Sequence, residues 1–274
     1  MEAFTWMFRI EGFKKHYIFL CASQVILLLL ACALGAAALF STEFGNLIVT
    51  VVLGIAAVFF FASTGLLPSG YFWCLTCSLA ERQRDFIFSD VYDGTYKEII
   101  TVELPELKPF AFIWRGFASI VATTLLIYPV LILLAIVIAG SFFTGFAHLT
   151  EITISYGILF LFIGFLIPGL LWNYAVRDSV IAVWNVPKAI HLMGTYPGKY
   201  FGHAFVYLMI AFLWKIIITW SVNTFGLSFV GFDYTNIFEI LKFCIIYLLL
   251  FFGANYILYV YAYLLGTIAP SGEI

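Results

Sequence analysis

Long apolar runs alternate with polar connections along almost the whole chain. Each run contains at least the ~20 residues that an α-helix needs to cross the hydrocarbon core of a bilayer. The fold class that this pattern predicts is an all-α integral membrane protein, with the lipid bilayer as its first partner. The six predicted transmembrane helices are residues 17–40, 46–67, 110–140, 153–176, 201–222 and 237–265.

Charged side chains are concentrated between the second and third runs. Residues 80–115 contain 12 of the 28 charged side chains of the chain, which are 13 basic plus 15 acidic. Apolar residues are interspersed among these charges, so we predict amphipathic connectors over residues 80–109 and 177–200 that rest on the membrane surface. Apolar residues at helical spacing before the first run predict a short interfacial helix within residues 1–16.

Basic residues lie mainly on one side of this arrangement. Six spans place both termini and both connectors on the same side. Of the 13 Lys and Arg residues, only Lys215 and Lys242 lie elsewhere, which leaves 11 on the side of the termini. Because cytoplasmic loops carry an excess of Lys and Arg, we predict that both termini and both connectors are cytoplasmic.

The composition agrees with a membrane location and argues against other classes. The chain is 64% hydrophobic and 10% charged, whereas ordinary soluble domains contain about 25% charged residues. A soluble fold with so few charges has little surface to offer to water. The net charge of −2 gives no support to a nucleic-acid partner.

Alternate runs along the chain share features at their ends. The first, third and fifth runs each follow a lysine, namely Lys15, Lys108 and Lys199, at nearly equal spacing. The second run is followed by Pro68, and the fourth run contains Pro168 near its end. We interpret this as three helical hairpins in series. Proline lacks the amide donor and clashes with the preceding turn, so each of the two prolines is predicted to kink or end its span.

Ionisable residues inside a span are costly and therefore indicate a functional site by default. Lys215 is the sharpest case: it either contacts an anion or substrate in a cavity, snorkels to the outer interface, or pairs with Glu239 or Asp233. Arg177 and Asp178 are alternatively predicted to pair with the first connector and fix its position. The residues predicted to border a polar cavity are Lys215, Arg115, Asn173, Arg177 and Asp178.

Motifs for enzymatic chemistry are missing from the sequence. There is no H-E-x-x-H zinc motif, no G-x-S-x-G elbow and no phosphate-binding glycine loop, so we predict no catalytic residue and no cofactor. Cys74 and Cys77 form a C-x-x-C, for which a redox pair or half a metal site is the functional alternative. Because no second pair exists, we interpret them as packing residues and predict no metal site.

The sequence contains a series of short landmarks, namely Phe8, Lys14-Lys15, Gly70-Tyr71, Leu104-Pro105-Glu106, Gly116 and Tyr128-Pro129. Their order resembles that of a family of uncharacterised multi-pass membrane proteins, a domain of unknown function found in bacteria, including cyanobacterial relatives, and in archaea. The resemblance covers the first half of the chain best. It implies a helical membrane fold in a prokaryotic inner membrane, and it implies no established activity and no catalytic residues.

Three functional classes follow from these features. The first is a non-enzymatic scaffold or assembly protein whose cytoplasmic connector, residues 80–109, binds a protein partner. The alternative is a small-molecule or lipid transporter with a polar cavity near Lys215 and broken helices at Pro68 and Pro168, which are recurrent features of transporters. An integral-membrane enzyme is the third class.

Overall fold

The computed structural model describes residues 8, 10, 12–93, 104–143, 165–177, 179–225 and 237–269. Every element within these ranges is helical, which confirms the all-α prediction. In chain order the α-helices are α1 (Phe13–Glu43), α2 (Leu47–Asp93), α3 (Pro109–Phe143), α4 (165–177), α5 (Val186–Thr195), α6 (Pro197–Phe225) and α7 (Ile237–Gly266), with a short 3₁₀ helix at Val180–Trp184 between α4 and α5.

Within the described ranges, four helical stretches are long and apolar enough to cross a membrane: Phe13–Glu43, Leu47–Glu81, Pro197–Ser221 and Ile245–Gly266. The stretch Pro109–Ala122 at the start of α3 is apolar but shorter. Half of the predicted fourth span, residues 153–164, lies outside the described residues. The helices are therefore compatible with a membrane protein, while the count of six spans stays a prediction.

A tight turn joins α1 to α2 and forms the first predicted hairpin. Gly45 adopts a left-handed conformation with φ of 68°, which glycine reaches without steric cost. Asn46 accepts a hydrogen bond from the Val49 amide at 3.3 Å and caps the new helix. The Ser41 and Thr50 hydroxyls are 2.6 Å apart across the turn. The connections after α3 and α6 lie outside the described residues, so the series of three hairpins stays a prediction.

Neither predicted break point ends its helix. Pro68 lies inside α2, which continues to Asp93, and Pro168 lies inside the helical residues 165–177. Pro68 has no N–H for the carbonyl of Thr64, four residues earlier, and the Gln24 side chain from α1 supplies that hydrogen bond at 2.9 Å. A partner from another helix thus replaces the missing bond. Whether the helices kink at these prolines stays a prediction.

Pro168 has a comparable compensating contact. The Tyr200 hydroxyl accepts a hydrogen bond from the Gly169 amide at 2.9 Å and donates one to the Phe165 carbonyl at 2.8 Å. In a regular helix this amide and this carbonyl would bond to each other. The Tyr200 hydroxyl therefore stands between this amide and this carbonyl and bonds to both of them, one residue beyond the proline. Side chains inserted into the backbone hydrogen bonds of a helix are one of the known causes of helix kinks.

The chain divides into two compact units. Unit 1 comprises Met1–Leu75, Lys97–Gly116 and Tyr207–Ala262, and unit 2 comprises Thr76–Tyr96, Phe117–Val206 and Tyr263–Ile274. In unit 1, Leu28 of α1 is buried against a group of apolar residues of α7, namely Ile246, Tyr247, Leu250 and Phe251. In unit 2, Leu166 and Leu170 of α4 pack with Ala189 of α5.

Two glycines allow the backbones of α2 and α3 to touch within unit 1. A Cβ at Gly70 would lie 1.8 Å from the Phe112 carbonyl oxygen, and a Cβ at Gly116 would lie 2.0 Å from that of Leu66. The contacts are reciprocal, since each glycine faces a carbonyl on the other helix four residues before the partner glycine. Small residues at helix crossings permit this close approach in membrane proteins, so no larger residue fits at either position.

Candidate functional site: two buried polar clusters

A polar cluster links α1, α2 and α7 inside unit 1. The Gln24 amide donates to the Thr64 carbonyl at 2.9 Å, and Gln24 Oε1 accepts from Asn255 Nδ2 at 2.6 Å. Asn255 Nδ2 also lies 3.2 Å from the Cys21 sulfur. Gln24 is 3% exposed and Asn255 is 1% exposed. This amide cluster occupies stretches long and apolar enough to cross a membrane, where each interhelical hydrogen bond is expected to contribute about 0.6 kcal/mol and at most ~1.7 kcal/mol.

A chain of hydroxyl groups extends the contact between the same three helices. The Tyr259 hydroxyl of α7 donates to the Tyr71 hydroxyl of α2 at 3.0 Å, and Tyr71 lies 3.2 Å from His16 Nδ1 of α1. Phe13 meets the Tyr259 ring edge-on with ring centroids 5.1 Å apart. This series of hydrogen bonds starts at His16, one residue after Lys15 at the predicted cytoplasmic interface, and ends at the buried Tyr259.

The cavity beside these groups has no room for a water molecule. It is bordered by Pro68 and Tyr71 of α2, by Asn255 and Tyr259 of α7, and by Leu20 of α1, and its water-sized volume is about 0 Å³. The polar side chains are therefore satisfied by direct contact with each other. Asn255 Oδ1 is an exception, since it is buried and has no hydrogen-bond partner among the described residues.

An open apolar groove of about 380 Å³ lies at the start of α1. Its walls are mostly aromatic and aliphatic, and Lys14 stands at its edge. The full lining consists of Phe8, Phe13, Lys14, Tyr17, Ile18 and Tyr256. Such a groove at the end of a candidate span suits contact with lipid chains.

The second polar cluster lies in unit 2, between α4 and α5. Lys188 is only 7% exposed, and its ammonium lies 5.6 Å from the centre of the Trp172 ring, within the range of a cation–π contact. Asn185 caps α5 by accepting from the Lys188 amide at 3.2 Å, and the Asn173 side chain donates to the Asn185 carbonyl at 3.2 Å. These bonds hold the start of α5 against α4.

Electrostatics make this second cluster unusual. Burial, and secondarily the positive charge of Arg177, lower the pKa of Lys188 from 10.5 to about 8. Lys188 forms no ion pair with a described residue. The indole Nε1 of Trp172 and the Oδ1 of Asn173 are both buried without a hydrogen-bond partner among the described residues, and both residues are 0% exposed. Buried polar groups are almost always paired, so two orphans beside a buried cation are a departure from the rule.

The residues predicted to border one polar cavity have different surroundings. Asn173 and Arg177 lie one turn apart on α4 and belong to the second cluster. Arg115, on α3, donates from Nη1 to the Cys74 sulfur at 3.1 Å. Lys215 is exposed on α6, next to the exposed Ile216. Asp178 lies outside the described residues. Its predicted pairing with the first connector therefore stays a prediction.

Most residues of the two clusters were not predicted from the sequence to be site residues. Gln24 and Asn255 carried a usable signal, because uncharged amides within apolar runs commonly bond across helices. Lys188 and Trp172 gave no such signal, since their contact depends on how α5 packs against α4. Among the described residues, no group of three His, Cys, Asp or Glu side chains is arranged to hold a metal ion.

No family model matches the chain, and neither the curated proteins nor the solved structures contain a significant match. The resemblance to the uncharacterised membrane protein family therefore stays a prediction.

Proposed function

We propose that this chain is a non-enzymatic, multi-pass protein of a prokaryotic inner membrane that acts as a scaffold or assembly protein. One observation carries the proposal: the side chains of Gln24, Asn255, Tyr71 and Tyr259 form hydrogen bonds across α1, α2 and α7, beside a cavity without room for water. Groups arranged in this way hold helices together. A transport path or an active site instead requires polar groups that face a substrate.

The partner of the scaffold is a cytoplasmic protein that binds the connector, residues 80–109. The described end of this connector supports the idea, since Glu106 and Lys108 are 79% and 68% exposed and pair with each other at 2.6 Å. Exposed charges of both signs suit the polar rim of a protein interface. The excess of basic residues on the same side supports a cytoplasmic position for both termini and both connectors.

A transporter with a cavity near Lys215 is the competing proposal. The exposed position of Lys215 on α6, beside exposed aliphatic residues, favours a lysine that reaches toward the membrane interface over one that lines a cavity. This observation supports the scaffold over the transporter.

Photo-crosslinking in cells tests the scaffold. A photoreactive amino acid at Glu106 is expected to give a discrete protein adduct, whereas the same residue at Leu39, which is 63% exposed on the apolar surface of α1, is expected to give lipid adducts only. Solute flux through proteoliposomes is the companion measurement. A saturable flux above protein-free vesicles, together with no protein adduct at Glu106, would overturn the scaffold and favour the transporter.

A further inference from the structure

The buried face of α5 contains a lysine beside apolar residues, and its exposed face includes apolar residues, which is unusual for a helix in water. Its inner face buries Lys188 together with Ala189 and Leu192, while Ile190 on its outer face is 45% exposed. The preceding 3₁₀ helix exposes Ile181 and Trp184, which are 80% and 48% exposed. Apolar and aromatic side chains at this position suit the headgroup level of a bilayer, and α5 ends only two residues before Pro197 begins a candidate span.

The cluster carries positive charge without compensation from described residues. Lys188 is buried and Arg177 is exposed, and the positive charge of Arg177 acts on Lys188. A buried charge is normally paired, because removing a charge from water without a partner is unfavourable. The Trp172 ring compensates in part through its cation–π contact. An anion at this position would complete the pairing.

Two further groups specify the kind of anion. Within the part of the chain that the structure describes, the indole N–H of Trp172 is a donor without an acceptor, and Oδ1 of Asn173 is an acceptor without a donor. An oxyanion satisfies the indole and the ammonium, while a hydroxyl or amine on the same molecule satisfies the amide oxygen. Glycerol- or amine-bearing phosphates have both features.

We propose that Lys188, Arg177 and the Trp172 indole form a binding site for the phosphate of an anionic phospholipid headgroup, with the Asn173 amide oxygen accepting from a headgroup hydroxyl. Basic pockets beside transmembrane helices bind anionic headgroups in this way. The exposed apolar residues Ile181, Trp184 and Ile190 favour a lipid over free phosphate, because they provide a surface for the acyl chains. The site is independent of the scaffold role proposed above.

Native mass spectrometry of the purified protein in neutral detergent tests the site. The probes are phosphatidylglycerol, phosphatidylcholine and inorganic phosphate. The wild type is expected to bind phosphatidylglycerol in preference to phosphatidylcholine. Lys188→Met, which keeps the aliphatic stem, is expected to weaken phosphatidylglycerol binding about tenfold or more, since a charged hydrogen bond contributes about 1.5–3 kcal/mol.

Two more variants separate the site from general effects. Trp172→Phe keeps an aromatic ring and removes the indole donor, and is expected to weaken binding about threefold to tenfold; this variant provides the test if Lys188→Met does not fold. Lys199→Met removes an exposed lysine at the start of α6 and is expected to change binding less than about twofold. An equal loss in Lys199→Met, or no change in the two cluster variants, would overturn the site. Lys188-dependent binding of inorganic phosphate, without a preference for the anionic lipid, would overturn the assignment to a phospholipid and would show that the site binds free phosphate.

Discussion

The hydrogen bond between Gln24 and the Thr64 carbonyl exists because Pro68 has no N–H to give. Replacing Gln24 by leucine removes this bond and the acceptor for Asn255 Nδ2. Interhelical bonds in membranes average about 0.6 kcal/mol, so the two lost bonds account for about 1 kcal/mol. Asn255 Nδ2 keeps its contact with the Cys21 sulfur, whereas the Thr64 carbonyl is left unpaired, which adds about 1–3 kcal/mol. We therefore expect Gln24→Leu to destabilise the protein by about 2–4 kcal/mol.

The contribution of Thr64 can be isolated with a second substitution. In a Pro68→Ala background the alanine amide is free to bond to the Thr64 carbonyl within α2, so the carbonyl no longer depends on Gln24. Gln24→Leu should then cost at least about 1 kcal/mol less than it does beside the native proline, leaving mainly the loss at Asn255.

Unfolding in mixed detergent micelles, titrated with sodium dodecyl sulfate, measures both the single and the double variants. Ser23→Ala on the same helix is the matched control and should show no coupling to Pro68→Ala. Independent sites are additive to within about 0.3–0.5 kcal/mol. A coupling between Gln24 and Pro68 below that level would refute the explanation of how α2 continues through its proline.

Three further predictions concern other contacts. Gly70→Ala should destabilise the protein by about 1–3 kcal/mol or prevent folding, since a Cβ would lie 1.8 Å from the Phe112 carbonyl oxygen; Gly54→Ala, where a Cβ meets open space, is the control in the same detergent titration. Tyr200→Phe should lower the melting temperature, because the Gly169 amide and the Phe165 carbonyl both lose their partner; an unchanged melting temperature would contradict this role. In lipid-free detergent near neutral pH, Lys188→Met should be more stable than the wild type by about 1–2 kcal/mol. The reason is that burial and the positive charge of Arg177 lower the pKa of Lys188, so the charged lysine destabilises the folded state. The unfolded lysine binds more protons between pH 8 and 10.5, so wild-type stability should rise relative to the variant across that window; an equal pH dependence of both proteins would contradict the assignment.

The sequence was sufficient to predict an all-helical fold with long apolar helices, and insufficient to predict the contacts between them. Apolar runs of span length are local signals: α1 and α6 extend three or four residues beyond each end of their predicted spans, and α7 ends one residue later than predicted. The continuation of α2 to Asp93 and the helix α5 were not predicted. Pro68 looked like a break point because the compensating Gln24 lies 40 positions earlier in the chain, and a local rule has no information on such a contact.

The candidate site shows the same limit. Asn173 and Arg177 were predicted from their place at the end of an apolar run, and they belong to a polar cluster in unit 2. Lys188 lay in a connector where lysine is ordinary. Its burial follows from the packing of Leu166 and Leu170 against Ala189, which turns that face of α5 inward. Tertiary contacts of this kind leave no periodic pattern in the sequence.

The accessibility of Cys21 tests most directly whether the polar groups inside unit 1 link helices or line a passage. Cys21 is 2% exposed and contacts Asn255. The measurement uses a variant that retains Cys21 and carries serine at the four other cysteines, treated in membranes with a small, charged methanethiosulfonate reagent; Lys199→Cys in a background without other cysteines is the accessible control. We predict no modification of Cys21 until the protein is unfolded in sodium dodecyl sulfate. Modification of Cys21 in native membranes at a rate near that of the control would contradict the proposal that these polar groups serve to hold the helices together.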